Sequence, residues 1–254
     1  MFKASYKYNN LNRDESLVTN LCSKWLVLSL IFVFIVIVSS VFYLGVPTSA
    51  QNNNNKNISL ANLVKEGSPH LGSLSAPVTV IDFSDLQCYL CARYVKNTEP
   101  KINETYIQTG KANLVFEHLP NRGSDSMGAA IAAQCTNDQG IFWQFHNLLY
   151  KNQGPIDSGW ASKDNLKKLA SKIKGLDIQK FNSCFDSQKY KLFVEKDIAL
   201  GASFGFHDTP NFIIVNSDGS NAEIIRGAQP FAAFKALIDK RLDNNSVRAT
   251  NTER

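Results

Sequence analysis

From Trp25 to Val46 the chain runs for 22 residues without a charge, WLVLSLIFVFIVIVSSVFYLGV. At about 1.5 Å per residue this length covers the roughly 30 Å of a bilayer's hydrocarbon. Lys3, Lys7, Arg13 and Lys24 stand before it against Asp14 and Glu15, and the first basic residue after it is Lys56. The positive flank belongs on the cytoplasmic side, so residues 1–24 are expected in the cytoplasm, 25–46 in the membrane as a retained transmembrane helix, and the rest outside. A cleaved signal peptide, cut after Thr48, Ser49 and Ala50, is the competing reading and also exports the folded part. The Asn-rich stretch QNNNNKN then makes 47–59 a polar linker.

Beyond the linker, apolar runs and helical periods take over. Val78 to Phe83 (VTVIDF) reads as a buried strand, and a helix opens at Cys88, kinked by Pro100 and ended by Gly110. Asn113 to Phe116, running on to His118, is a second strand, and the helix between makes the pair a parallel βαβ unit. Helical patterns follow at Ser126–Cys135, Ile141–Lys151, Lys163–Lys174 and Tyr190–Ser203, and no strand pattern returns until Asn211–Val215, 93 residues after His118. One crossover helix needs far less chain. The expected fold is therefore an α/β domain over 60–242 with an α-helical subdomain inserted at about 122–203. Ser217-Asp218-Gly219-Ser220 is a hairpin turn, Ala222–Arg226 a short strand, and Pro230–Leu242 an amphipathic helix; the polar tail 243–254 is expected to be disordered.

Composition narrows the function. With 254 residues and 44% hydrophobic positions the chain can bury a sizeable core, and a formal charge of +5 with dispersed basic residues argues against a nucleic-acid partner. The densest basic cluster, Lys163, Lys167, Lys168, Lys172 and Lys174, interleaves with Leu166, Leu169, Ala170 and Ile173 as the solvated face of a helix. Asn57, Asn103 and Asn244 begin short N-x-S/T sequons.

The chemistry lies in DFSDLQCYLCARY, Asp82 to Tyr94, where Cys88 and Cys91 open a helix. Positions i and i+3 share a helix face. Unpaired backbone N–H groups and the positive end of the macrodipole favour a thiolate at Cys88, below the ordinary value near 8.5. A thiolate of low basicity is both nucleophile and leaving group, which thiol–disulfide exchange requires. Of the five cysteines, Cys22 precedes the apolar run, leaving four in an oxidising compartment. Cys135 sits in a helix pattern and Cys184 in FNSCFDS between helices, neither in a reactive setting, so a structural disulfide is expected between them. Closing that loop stabilises by about 4 kcal/mol on the chain-entropy model. Zinc would need two close pairs, so no metal site and no cofactor are expected.

The segments VTVIDFSDLQCYLC, AAQCTNDQGIFWQFHNLLY, FNSCFDSQKY and GFHDTPNFIIV, in that order, closely resemble DsbA-like thiol-disulfide oxidoreductases of the thioredoxin fold, in the branch with a second cysteine pair. The likeness covers roughly Leu60 to Leu242. It implies a thioredoxin core with an inserted helical domain, Cys88 as nucleophile and Cys91 as resolving thiol. It also implies a cis-proline loop at Thr209-Pro210, holding the backbone of client proteins that carry cysteine thiols. Asp82, six residues before Cys88, matches a buried acid that assists proton transfer at Cys91; an exposed strand-end Asp is the alternative, with Asp85 as the surface competitor. A membrane partner that passes electrons to quinone is implied for reoxidation. One departure is Tyr89-Leu90, where relatives often have Pro directly after the first cysteine; this bears on oxidising strength, with reductase or isomerase as the alternative direction and a redox-inert carrier as the alternative class. His146 reads as a core histidine, and His207 lies close enough in sequence to Thr209-Pro210 to influence the thiolate.

Overall fold

The structure is a computed structural model and describes residues 59–252. The expected cytoplasmic segment, the apolar run at 25–46, nearly all of the linker and Cys22 lie outside the described residues. Among the described residues no helix is long and apolar enough to cross a membrane.

The domain begins with helix α1 (Leu60–Glu66), capped by the Ser59 side chain at its start and by Gly67 at its end. Gly67 has φ +106°, a left-handed conformation in which its N–H reaches the Leu63 and Val64 carbonyls. A two-residue strand β1 (His70–Leu71) follows. Strand β2 (Val78–Ser84) and strand β3 (Ala112–His118) are buried along their whole length, as the near-continuous apolar runs require of central strands. Between them helix α2 (Tyr89–Asn97) ends at Thr98, and a short helix α3 (Glu99–Ile102) carries Pro100 in its first turn. Proline fits there because that turn has no intrahelical use for its N–H. One π-helical turn (Asn103–Ile107) leads to Gly110 and into β3.

Five helices separate β3 from the next strand: α4 (Ser126–Asn137), α5 (Phe142–Lys151), α6 (Lys163–Ala170), α7 (Ile178–Asp186) and α8 (Lys191–Ser203). Helix α7 corrects the expectation that Cys184 lies between helices. Ile178, Phe181 and Phe185 repeat at helical spacing, Phe181 and Phe185 are buried, and the Asp177 side chain accepts the Gln179 and Lys180 N–H groups as an N-cap. Strands β4 (Asn211–Asn216) and β5 (Glu223–Arg226) form the hairpin, and helix α9 (Phe231–Thr252) closes the domain. The expected disordered tail is corrected through Thr252. No Gly or Pro interrupts the helix after Leu242, Leu242 packs on the core, and Asn245 reaches the Pro77 carbonyl at 3.5 Å.

The sheet order is β1-β3-β2-β4-β5, with β2 and β3 parallel and every other pair antiparallel. Alternation along β2 sends Val78 and Val80 toward α2 and α9, where Tyr94, Phe212 and Phe234 pack, and sends Ile81 and Phe83 toward α8. Gly201 of α8 allows that second approach: a Cβ there would come within 3.2 Å of Leu119 and 3.4 Å of Phe83. A third core fills the helical insertion and takes in Leu86, Cys88 and Cys91, so the cysteine pair lies where insertion and sheet domain meet.

Candidate active site

Cys88 is placed by the end of β2. The chain turns at Asp85, whose carbonyl accepts the Cys88 N–H at 2.9 Å, and Cys88 takes the N-cap position of α2 with extended backbone. The Asp85 carboxylate holds this turn from four sides. Oδ1 accepts the Gln87 N–H at 2.7 Å and the Ser126 hydroxyl at 2.9 Å; Oδ2 accepts the N–H groups of Asn121 at 2.7 Å and Arg122 at 2.8 Å. The insertion adds Tyr150, whose hydroxyl donates to the Asp85 carbonyl at 3.2 Å, and Gln153, whose amide donates to the carbonyls of Leu86 at 2.8 Å and Cys88 at 3.2 Å.

Both thiols are free and nearly inaccessible. Across from them runs the Thr209–Pro210 loop, with a cis peptide bond. Cys88 Sγ lies 3.3 Å from the Thr209 carbonyl oxygen, and Arg122 Nη2 donates to that same oxygen at 3.3 Å. Asn211 steadies the loop by donating to the Asp208 carbonyl at 2.6 Å.

The electrostatics separate the two sulfurs. Cys88 is lowered to about 5, first by the hydrogen bond from the Cys91 thiol; burial opposes this, and a hydrogen bond from the Thr209 side chain, the Cys91 backbone N–H and the charge of Arg122 support it. The helix-start amide thus contributes, but the neighbouring thiol contributes more than the amides on which the sequence argument relied. Cys91 is pushed well above an ordinary thiol by burial, with the Cys88 and Asp82 charges adding to it. Asp82, with no exposure, lies on the face of β2 shared with Val80. Burial raises it to about 7; the Ser84 hydroxyl donates to Oδ1, while Oδ2 finds no partner among the described residues. Glu99 is raised to about 8 by burial and then by the charge of Asp82.

The structure brings Cys88, Cys91, Asp82, Thr209 and Pro210 into one neighbourhood. Asp85 is a correction: it is a buried hub, 1% exposed, because four donors converge on its carboxylate. His146 is buried among Phe116, Phe142, Trp143 and Tyr150. His207 is exposed and meets the site through its backbone, the carbonyl accepting from Asn121. Tyr89, beside the nucleophile, is 74% exposed. Cys135 on α4 and Cys184 on α7 are joined, Sγ to Sγ at 2.02 Å. Sequence reasoning missed Arg122, Gln87 and Tyr150. Arg122 stands in a loop with no periodicity to mark it, and only the folded chain carries it to the sulfur.

A dithiol at a helix start, with one sulfur primed as anion and its partner held as thiol against a cis-proline loop, defines a thiol–disulfide oxidoreductase of DsbA-like architecture. The family model described as Thioredoxin matches residues 64–240, and the chain belongs to that family. Disulfide bond formation protein D of Bacillus subtilis is 27% identical over 179 residues, covering 70% of this chain and 78% of that protein. The probable disulfide bond formation protein D of Bacillus cereus is 31% identical over 175 residues, covering 68% and 77%. Among solved structures, oxidised BdbD from Bacillus subtilis superposes with a TM-score of 0.62 at 28% identity, over 70% of this chain and 94% of that one. Wolbachia pipientis alpha-DsbA1 gives 0.62 at 26% identity, over 72% and 94%. The chain is a protein-disulfide oxidoreductase.

Proposed function

We propose that the protein oxidises the thiols of exported client proteins through Cys88 and Cys91. A client thiolate attacks Cys88 Sγ of the Cys88–Cys91 disulfide, forming a mixed disulfide and releasing Cys91 as thiolate, which takes a proton from Asp82. A second client thiolate attacks the client sulfur of that mixed disulfide. The client leaves with a disulfide, and its two electrons stay on the enzyme as the Cys88 thiolate and the Cys91 thiol. Thr209 and Pro210 lie where the client backbone would rest. Cys135–Cys184 takes no part and braces the insertion.

The oxidising direction is supported by the placement of Cys88 at the start of α2, with the Cys91 thiol and N–H, the Thr209 side chain and the Arg122 charge all favouring its thiolate. A stabilised thiolate favours the reduced enzyme and makes its disulfide a better oxidant. The charge-free run at 25–46 with its positive flank supports a membrane anchor and a catalytic domain outside the cytoplasm. Reoxidation then falls to a membrane partner that takes two electrons and two protons to quinone.

Oxidative refolding of a reduced client by the full chain, wild type against Cys88→Ala, tests this reading. Wild type in its disulfide form accelerates disulfide formation, Cys88→Ala does not, and Cys91→Ala, supplied with glutathione disulfide as oxidant, accumulates a mixed disulfide at Cys88. A chain that reduces insulin readily but does not oxidise the client would overturn the direction. One that does neither would make the site redox-inert.

A further inference from the structure

Arg122 and Cys88 share one acceptor. The Thr209 carbonyl oxygen lies 3.3 Å from Cys88 Sγ and 3.3 Å from Arg122 Nη2. While Cys88 is a thiol it can donate to that oxygen. Once it is a thiolate it has no proton to give, and the negative end of the carbonyl dipole faces a negative sulfur. Arg122 answers both changes. Its guanidinium cannot lose its proton, it keeps the oxygen engaged as an acceptor, and it sets a positive charge on the same carbonyl that the sulfur meets.

The arm is held in place from its own backbone. Asp85 Oδ2 accepts the Arg122 N–H at 2.8 Å, while Oδ1 of the same carboxylate accepts the Gln87 N–H at 2.7 Å. One buried side chain therefore fixes the spacing between the turn that carries the nucleophile and the loop that carries the cation. Arg122 Nε is buried without a partner among the described residues. Among the described residues, Cys91 on α2, Asp82 on β2, Asp85 in the turn and Tyr150 on α5 also lie in this neighbourhood, and none of these four carries positive charge.

We propose that Arg122 is the positioning residue that prepares this site for a charged Cys88 sulfur, by engaging the Thr209 carbonyl and bringing its positive charge to the oxygen that the sulfur meets. The reaction it assists is the exchange described above: reduction of the Cys88–Cys91 disulfide by two glutathione thiols gives glutathione disulfide, the Cys88 thiolate, the Cys91 thiol and one proton. Stabilising the thiolate draws that equilibrium toward the reduced enzyme, so loss of Arg122 makes the protein a weaker oxidant.

The inference rests on Cys88 as the nucleophile, and its test separates the two ideas. Wild type, Arg122→Gln, Arg122→Met and Arg122→Lys are equilibrated in glutathione buffers, and the Cys88 alkylation rate is followed against pH. The Gln and Met variants should shift the equilibrium toward the disulfide by about three- to tenfold, up to about 30 mV, and raise the alkylation midpoint correspondingly. The Lys variant, with a charge but no planar fork, should recover part of the shift. A merely structural arginine would change melting temperature without moving either readout. Equilibrium and midpoint within twofold of wild type in a folded Gln or Met variant overturn the role of Arg122 and leave the nucleophile intact. A wild-type protein that does not exchange with glutathione overturns the underlying reading instead. If both neutral variants fail to fold, the Lys variant decides: an equilibrium and an alkylation midpoint indistinguishable from wild type count against the proposal.

Discussion

Gln87 and Asp157 hydrogen-bond to each other twice: Gln87 Nε2 donates to Asp157 Oδ1 at 3.1 Å, and the Asp157 N–H donates to Gln87 Oε1 at 3.0 Å. The pair joins the residue just ahead of the nucleophile to the loop between α5 and α6. Gln87 also donates to the Ser126 hydroxyl at 3.1 Å, so one buried amide ties the cysteine turn to two parts of the insertion. Gln87→Ala should lower stability by about 1–3 kcal/mol, since it removes three hydrogen bonds made by a buried side chain, with a matching fall in melting temperature. An unchanged melting temperature would mean that insertion and turn are not coupled through this side chain.

Asp82 should act as the base for Cys91. Glutathione loaded onto Cys88 is expelled when Cys91 loses its proton and attacks, and a carboxylate raised to about 7 is suited to take that proton near neutrality. The expulsion rate, followed by stopped flow, should rise with pH through a step near 7. In Asp82→Asn that step disappears and the rate at neutral pH falls about a hundredfold. A variant that keeps both the step and the rate removes Asp82 from the mechanism.

Glu99 should make the fold sensitive to alkali. Its folded-state value, about 8, stands above the ordinary 4.5 because of burial first and Asp82 second. The folded protein therefore keeps a proton that the unfolded chain gives up between those values. Its contribution is present below about 4.5 and is lost as pH rises through about 8. Glu99→Gln should flatten the dependence of melting temperature on pH and be more stable than wild type at alkaline pH by about 2–5 kcal/mol. Parallel curves for the two proteins would contradict this.

Removing the Cys135–Cys184 bond by a double Ala substitution should cost about 2–5 kcal/mol and leave exchange at Cys88 close to wild type while the protein stays folded. Denaturant unfolding and glutathione exchange measured on the same sample check both halves.

Much of the fold is legible in the chain. The central strands announce themselves because VTVIDF, NLVF and NFIIV are apolar on both faces, as strands buried between helices must be. The cysteine pair stands out by spacing and by its place after such a strand. Helix α7 was equally written in Ile178, Phe181 and Phe185, with Asp177 as its cap, but the polar FNSCFDS masked the period. Asp85 and Arg122 could not be read this way. An aspartate in a turn looks solvated until four donors fold around it, and a lone arginine before Gly123 has no pattern until the Thr209 carbonyl arrives from 87 residues away.

The ionisation of Cys88 is the quantity on which the chemistry turns. Rapid alkylation of Cys88 in the reduced, folded protein, followed from acid to alkaline pH with the adduct mapped by mass spectrometry, measures it directly. A midpoint near 5 is expected, with Cys91 unreactive across the range. A midpoint near 8.5, that of an ordinary exposed thiol, would contradict a sulfur held as an anion at this helix start.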